Sequence, residues 1–221
     1  LDHPEIFLVQ IRAMLKASEG LDNLRIMLPM ITHVSEIDES IRWIDQAFSE
    51  LCEEGYKLVR PPIGVMVEVP AAVYQANHIA ARVDFLSVGS NDLTQYILAV
   101  DRDNPRVADL YHTMHPAVLM ALQNVVDAAK EADIPVSLCG ELAGDPAGAL
   151  LLMGMGYDSL SMNAASLPKV KSVIRNFSLS QAQEMLQQAL QQPGADGVQQ
   201  VIRDNLKAAG LTRLHSRYVG N

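Results

Sequence analysis

Five side chains in this sequence have the types and the settings to do chemistry together: Glu68, Asn91, Asp92, Arg102 and Cys139. Glu68 interrupts the apolar run "VMVEV", where an unpaired buried carboxylate costs enough to require a partner. An arginine is one candidate partner. Asp92 stands at the end of the next apolar run, and neighbouring strands would bring the two carboxylates together. Two close like charges invite a divalent cation, and two carboxylates with water and substrate oxygens are the usual ligands of Mg²⁺. Asp92 could equally cap a helix starting at Leu93, and Asn91 could serve only as the turn residue after Gly89. Arg102 either pairs with Asp101 or Glu68 or clamps a phosphate bidentately. Cys139, in "VSLCG", could be a small buried hydrophobe. It also ends an apolar run beside Gly140 and Glu141, where a thiol can give or take a proton. The histidines His3, His33, His78, His112 and His115 show no metal-ligand spacing and read as surface or helix-capping residues.

Side chains so distant in sequence meet only on aligned elements, and strand and helix periods do alternate along the chain. Asp2 to Ser18 predicts a helix, with Pro4 tolerated in its first turn and an apolar face of Ile6, Phe7, Ile11, Met14 and Leu15. Ser35 reads as an N-cap with Asp38 three residues on, after which Ile37, Ile41, Ile44, Phe48 and Leu51 line one helical face up to Gly55. Further helices are expected over Pro70 to Ala81, from Leu93, over Pro116 to Ala132, Pro146 to Met153, and Leu167 to Arg175 with Ser166 as cap. Between them lie five strand candidates: Leu24 to Met30, Ile63 to Val69, Phe85 to Val88, Val136 to Cys139 and Ser159 to Met162.

Strands apolar on both faces and separated by helices imply a parallel sheet covered by helices, the α/β class. Five strands suit an open doubly wound sheet or the later part of an eight-stranded barrel. Glu68, Asn91, Asp92, Cys139 and Glu141 fall at or just beyond C-terminal strand ends, where both architectures place their sites. No turn carries G-x-G-x-x-G or G-x-x-x-x-G-K-[ST]. The "GMG" at Gly154 to Gly156 lacks the third glycine and the preceding strand, and reads as a helix-ending turn. A nucleotide-binding sheet is disfavoured and a barrel portion gains. Beyond Phe177 two Gln- and Ala-rich amphipathic helices, broken at Pro193 and Gly194 and stopped at Gly210, form a helical extension. The chain thus divides into a barrel portion, 1–177, and an extension, 178–221, whose final "LTRLHSRYVGN" reads as a surface tail.

Composition sets the outer bounds. The 221 residues are 49% hydrophobic, ample for one large core, and the net charge of −9 argues against nucleic acid or an anionic membrane as partner. The apolar run Ala149 to Met155 is far short of the roughly 20 residues of a membrane span. Two cysteines, Cys52 and Cys139, make neither a disulfide framework nor a thiolate metal site. With no charged-then-apolar leader ahead of Leu1, a reducing cytoplasm is the economical expectation.

The segments "LRIMLPMI", "IGVMVEVPAA", "VDFLSVGSNDLTQYILAVDRDN" and "LCGELAGDP" resemble the signatures of the phosphoenolpyruvate-utilising enzymes, over roughly Leu1 to Arg175. The run "ELAGDPAGALLLMGMGYDSLSMN" is closest to the Enzyme I type. The Gln-rich tail lies outside this resemblance and leans towards the nitrogen-branch rather than the sugar-branch form. The resemblance implies a (β/α)₈ TIM-type barrel lacking its first three strands, with two open edges. It implies Mg²⁺ held by Glu68 and Asp92, the phosphate of phosphoenolpyruvate held by Asn91, Asp92 and Arg102, and Cys139 as the acid that protonates enolpyruvate. The phosphorylated histidine would sit on a separate N-terminal domain. A small phosphocarrier protein beyond it, and a second copy of the chain in a homodimer, would be the partners. Two rival expectations are a non-catalytic module that senses phosphoenolpyruvate or dimerises, and a metal-enolate lyase or aldolase barrel.

Overall fold

Prolines open four of the longer helices, and a computed structural model, which describes residues 3–211, follows this punctuation. Asp2 and the expected surface tail lie outside the described residues. Helix α1 (Pro4–Ala17) leads to strand β1 (Ile26–Leu28), and α2 (Val34–Glu53) crosses to β2 (Ile63–Val67). The short pair α3 (Pro70–Tyr74) and α4 (Ala76–Ala80) leads to β3 (Phe85–Gly89). Helices α5 (Ser90–Leu98) and α6 (Pro116–Glu131), joined through a 3₁₀ turn at Ala108–Leu110, precede β4 (Val136–Cys139). Helices α7 (Glu141–Gly144) and α8 (Pro146–Met155) then lead to β5 (Ser159–Ser161), and α9 (Leu167–Asn176), α10 (Leu179–Leu190) and α11 (Ala195–Ala208) follow.

All five strands are parallel and stand in chain order, β1-β2-β3-β4-β5. That order separates the two architectures left open by the sequence. A doubly wound sheet reverses its strand order at a switch point, whereas a barrel adds each strand beside the last. The chain is therefore an α/β fold with part of a TIM-type barrel, and β1 and β5 each have only one strand neighbour among the described residues.

The strands are not apolar on both faces. One face holds Ile26, Leu28, Ile63, Val65, Val67, Leu86, Val88, Val136 and Leu138, all buried in the core shared with the helices. Register places Met27, Gly64, Phe85, Met66, Ser87, Ser137, Cys139, Ser159 and Ser161 on the other face, from nearly buried to exposed. A closed barrel packs that face into its own interior, so small residues are tolerated there. Two aspartates finish the N-terminal ends of strands: Asp84 Oδ2 accepts from Ile63 N at 2.7 Å and Asp158 Oδ2 from Val136 N at 2.8 Å.

Two local expectations are corrected. His33, not Ser35, caps α2. Its Nδ1 accepts from Ser35 N, while Glu36 Oε2 takes the N–H groups of His33 and Thr32, each at 2.8 Å. An imidazole nitrogen thus replaces the usual cap oxygen, and burial opposes the Glu36 charge but is outweighed by these bonds, which hold its pKa low. His115 caps α6 in the same way through Ala117 N. The single helix expected over Pro70 to Ala81 breaks at Gln75, whose side-chain amide donates to Thr32 O and Ala71 O.

The extension shares the barrel's core: Met185, Leu186 and Ala189 of α10, which packs on α8 and α6, join it together with Val198, Ile202 and Leu206 of α11. The closest approach is at Gly154, where an added Cβ would lie 2.6 Å from the carbonyl oxygen of Ala182. Gly154→Ala should therefore force α10 off α8 and lower the unfolding free energy, read from urea titration, by about 1–3 kcal/mol.

Candidate functional site

Because β2, β3 and β4 are parallel and in register, with Val67 opposite Val88 and Gly89 opposite Cys139, the residues after each strand converge at one end of the sheet. Glu68 follows β2 directly. Only 5% of it is exposed, and Oε1 accepts the N–H of Met30 at 2.8 Å. Met30 reaches it from the β1–α2 loop with a left-handed backbone, φ 55°, the sort of local strain that gathers at functional sites. A Cβ on Gly89 would lie 2.8 Å from Glu68 Oε2, so glycine is what leaves the carboxylate room. Among the described residues no arginine or lysine pairs with Glu68, against the arginine partner considered above.

Helix α5 starts at Ser90, not Leu93, so Asp92 lies in its first turn and does not cap it; Gly89 occupies the cap position. Arg102 Nη2 lies 4.0 Å from Asp92 Oδ1, both side chains being partly exposed, so this pair contributes little to stability and leaves the guanidinium available. Asp101 is not the partner; its Oδ1 accepts from Asp103 N at 3.0 Å. Asn91 does more than turn the chain. Its Oδ1 accepts Glu141 N at 3.1 Å, which fastens the end of β3 to the start of α7. Tyr111, which the sequence reading passed over, donates its hydroxyl to Asn91 O at 3.1 Å. Burial raises its pKa, with the nearby Arg102 acting the other way. Nothing in the residue pattern marks a tyrosine beyond a 3₁₀ turn as a neighbour of Asn91.

Cys139 closes β4, half-buried, on the open face of the sheet. Burial raises the thiol pKa, the negative charges of Glu68 and Asp92 add to the rise, and the Ser87 hydroxyl works against it. The thiol therefore stays protonated at neutral pH. The charges responsible are Glu68 and Asp92, in place of the Glu141 that adjacency in sequence suggests.

Oxygen donors of this kind suit a hard cation. Glu68 is a nearly sealed carboxylate that accepts one hydrogen bond and lacks a cationic partner among the described residues, and Asp92, at the end of the adjacent strand, is partly exposed. Among the described residues no group of three or more His, Cys, Asp or Glu forms a metal cage, so any cation here must draw further ligands from substrate and water.

A parallel barrel portion with carboxylates, a guanidinium and a thiol at its C-terminal strand ends defines a barrel protein with its site in the usual place for that fold. The chain belongs to the family described as PEP-utilising enzyme, PEP-binding domain, which matches residues 1–179. It is 45% identical over 212 residues to a protein of Salmonella typhimurium named "Phosphoenolpyruvate-dependent phosphotransferase system", covering 96% of this chain and 28% of that protein. It is 45% identical over 207 residues to the "Phosphoenolpyruvate-protein phosphotransferase" of Haemophilus influenzae, covering 93% of this chain and 36% of that protein. The chain thus spans about a third or less of the length of these relatives. Both alignments run on into the Gln-rich extension. A citrate lyase from Burkholderia xenovorans shares the fold, with a TM-score of 0.56 at 20% identity over 92% of this chain and 69% of its own.

The pH dependence of the thiol gives a direct check. In metal-free buffer the alkylation of Cys139 should reach half its maximal rate at a higher pH than that of a free cysteine thiol. Glu68→Gln removes a negative charge that disfavours the thiolate, so it should move the Cys139 midpoint downward, and an unmoved midpoint would show that the Glu68 charge does not act on the thiol.

Proposed function

We propose that this chain is the substrate-binding and protonating part of a phosphoenolpyruvate–protein phosphotransferase. The observation that carries the reading is Glu68, a buried carboxylate without a cationic partner among the described residues, whose charge acts with that of Asp92 on a thiol held protonated. Membership of the PEP-binding family and 45% identity to a phosphoenolpyruvate-protein phosphotransferase support it.

In this reading Glu68 and Asp92 would hold Mg²⁺, and the cation would supply charge neutralisation to the phosphoryl oxygens. Arg102 clamps the phosphate through its planar fork, and Asn91, with its carbonyl oxygen engaged by Glu141 N, turns its amide N–H groups towards the same phosphate. The phosphoryl group leaves for a histidine on another domain, and from there for a small phosphocarrier protein. The enolate of pyruvate stays behind. Cys139 then gives its proton to C3: the electrons of the carbon–carbon double bond form the new C–H bond, C2 becomes a carbonyl, and the negative charge passes to sulfur. Solvent reprotonates the thiolate. Trapping the keto form is what makes transfer favourable, so the acid must reach carbon while phosphate is held elsewhere. The open edges of β1 and β5 suit pairing with further chain or a second copy. The likeness to citrate lyase is one of fold alone, so a lyase reading has only the barrel behind it.

Two substitutions in the full-length protein test this. Glu68→Gln keeps the shape and removes the charge, so phosphoenzyme formation from labelled phosphoenolpyruvate should fall by about two orders of magnitude at saturating substrate, with stronger dependence on added Mg²⁺. Parent-like transfer would remove the metal role. Arg102→Lys keeps the charge but loses the fork, and the KM for phosphoenolpyruvate should rise about tenfold; an unchanged KM would return Arg102 to an ion-pairing residue.

A further inference from the structure

Two turns carry the chemistry, and the side chains that join them have no assigned role. Ser90 is fully buried, yet it does not cap the helix it begins; the cap position belongs to Gly89, which offers no side chain. Its hydroxyl points across the sheet and donates to the carbonyl of Cys139 at 2.9 Å. The Ser90 carbonyl is itself held by the equally buried hydroxyl of Thr94 at 2.7 Å. A second bond runs in the opposite sense, from Glu141 N to Asn91 Oδ1. Between them lies Gly140 with φ 115°, where an added Cβ would sit 2.3 Å from Ser90 Oγ and 2.9 Å from Asn91 Oδ1. The turns are therefore clasped too closely for any side chain at that position, and by a left-handed backbone that glycine adopts without strain.

We propose that Ser90 is a positioning residue for proton delivery, its hydroxyl fixing the Cys139 peptide so that the thiol faces C3 of the substrate held by the neighbouring turn. This rests on the reading of Cys139 as the acid. Alanine at Ser90 would serve α5 equally well, since helix propensity favours it and no cap bond is lost. What alanine removes is the bond to Cys139 and nothing else that the helix needs. A half-buried carbonyl left without its donor would shift to find another, and the thiol with it.

The test uses full-length Ser90→Ala with phosphoenolpyruvate that carries a radiolabelled phosphoryl group and deuterium at one C3 position, run in tritiated water. Phosphoryl label transferred to the enzyme is followed together with the chirality of the methyl group in the pyruvate formed. Enolpyruvate released unprotonated picks up its proton from water on either face, so chirality reports delivery by a fixed acid. We expect phosphoryl transfer within about twofold of the parent. Pyruvate formation on the enzyme should fall about fivefold, the factor one ordinary hydrogen bond is worth, with loss of chirality. Parent-like chirality and rate would overturn the proposal. So would an equal fall of both rates with chirality kept, which would mark Ser90 as support for the whole site. If Ser90→Ala does not fold, Thr94→Val removes the bond behind Ser90 and should lower chirality in the same direction, and unchanged chirality there overturns the proposal too. Cys139→Ser, run in parallel, separates the two layers: chirality retained in that variant would remove Cys139 as the acid, and with it the ground for a residue that aims it.

Discussion

A carboxylate sealed from water without a cation beside it is the constraint on which this site turns. Removing such a charge from solvent costs several kcal/mol unless something compensates, and among the described residues Glu68 accepts only the backbone N–H of Met30. The surroundings leave the carboxylate room. Gly89 leaves it space, Met30 accepts a left-handed backbone to reach it, and the neighbouring guanidinium, Arg102, lies beside Asp92. The same charge also acts on Cys139 at the end of β4, two strands away, where it helps hold the thiol in its protonated form.

The one-sided sheet follows the same logic. Its apolar face is fully committed to the helices, so the other face is free to carry serine, glycine, methionine and cysteine. Because β3 and β4 are hydrogen-bonded neighbours, Ser90 and Asn91 just past β3 reach across to Cys139 and Glu141. The helical extension does not touch this chemistry directly. It fills the back of α8 and α6, and at Gly154 it comes so near that the barrel portion and the extension share one core.

Much of this was legible in the residues. Strand positions, the order of elements and the strand-end placement of Glu68, Asn91, Asp92, Cys139 and Glu141 followed from apolar runs ending in polar residues, because a parallel strand must stop where its chain leaves the core. Capping was read less well. Ser35 has the usual chemistry of a cap, but His33 has the correct spacing to Glu36, and local hydrogen-bond geometry, not residue type, chose between them. Asp101 was a natural partner for Arg102 by adjacency, yet the turn that follows Leu98 carries the guanidinium back over α5 to Asp92.

By itself, then, the sequence determined the α/β class, the barrel-like alternation and the residue types able to bind a cation, a phosphate and a proton, since these depend on local period and on side-chain chemistry. Only the tertiary structure decided which strand lay beside which, and so that the sheet is unreversed and covered on one side. It also decided that Glu68 lacks a cationic partner among the described residues, that Tyr111 stands behind Asn91, and that Ser90 grips Cys139 rather than its own helix. Those facts are contacts between residues 20 to 49 positions apart. No local pattern encodes them, because they exist only once parallel strands have set their register.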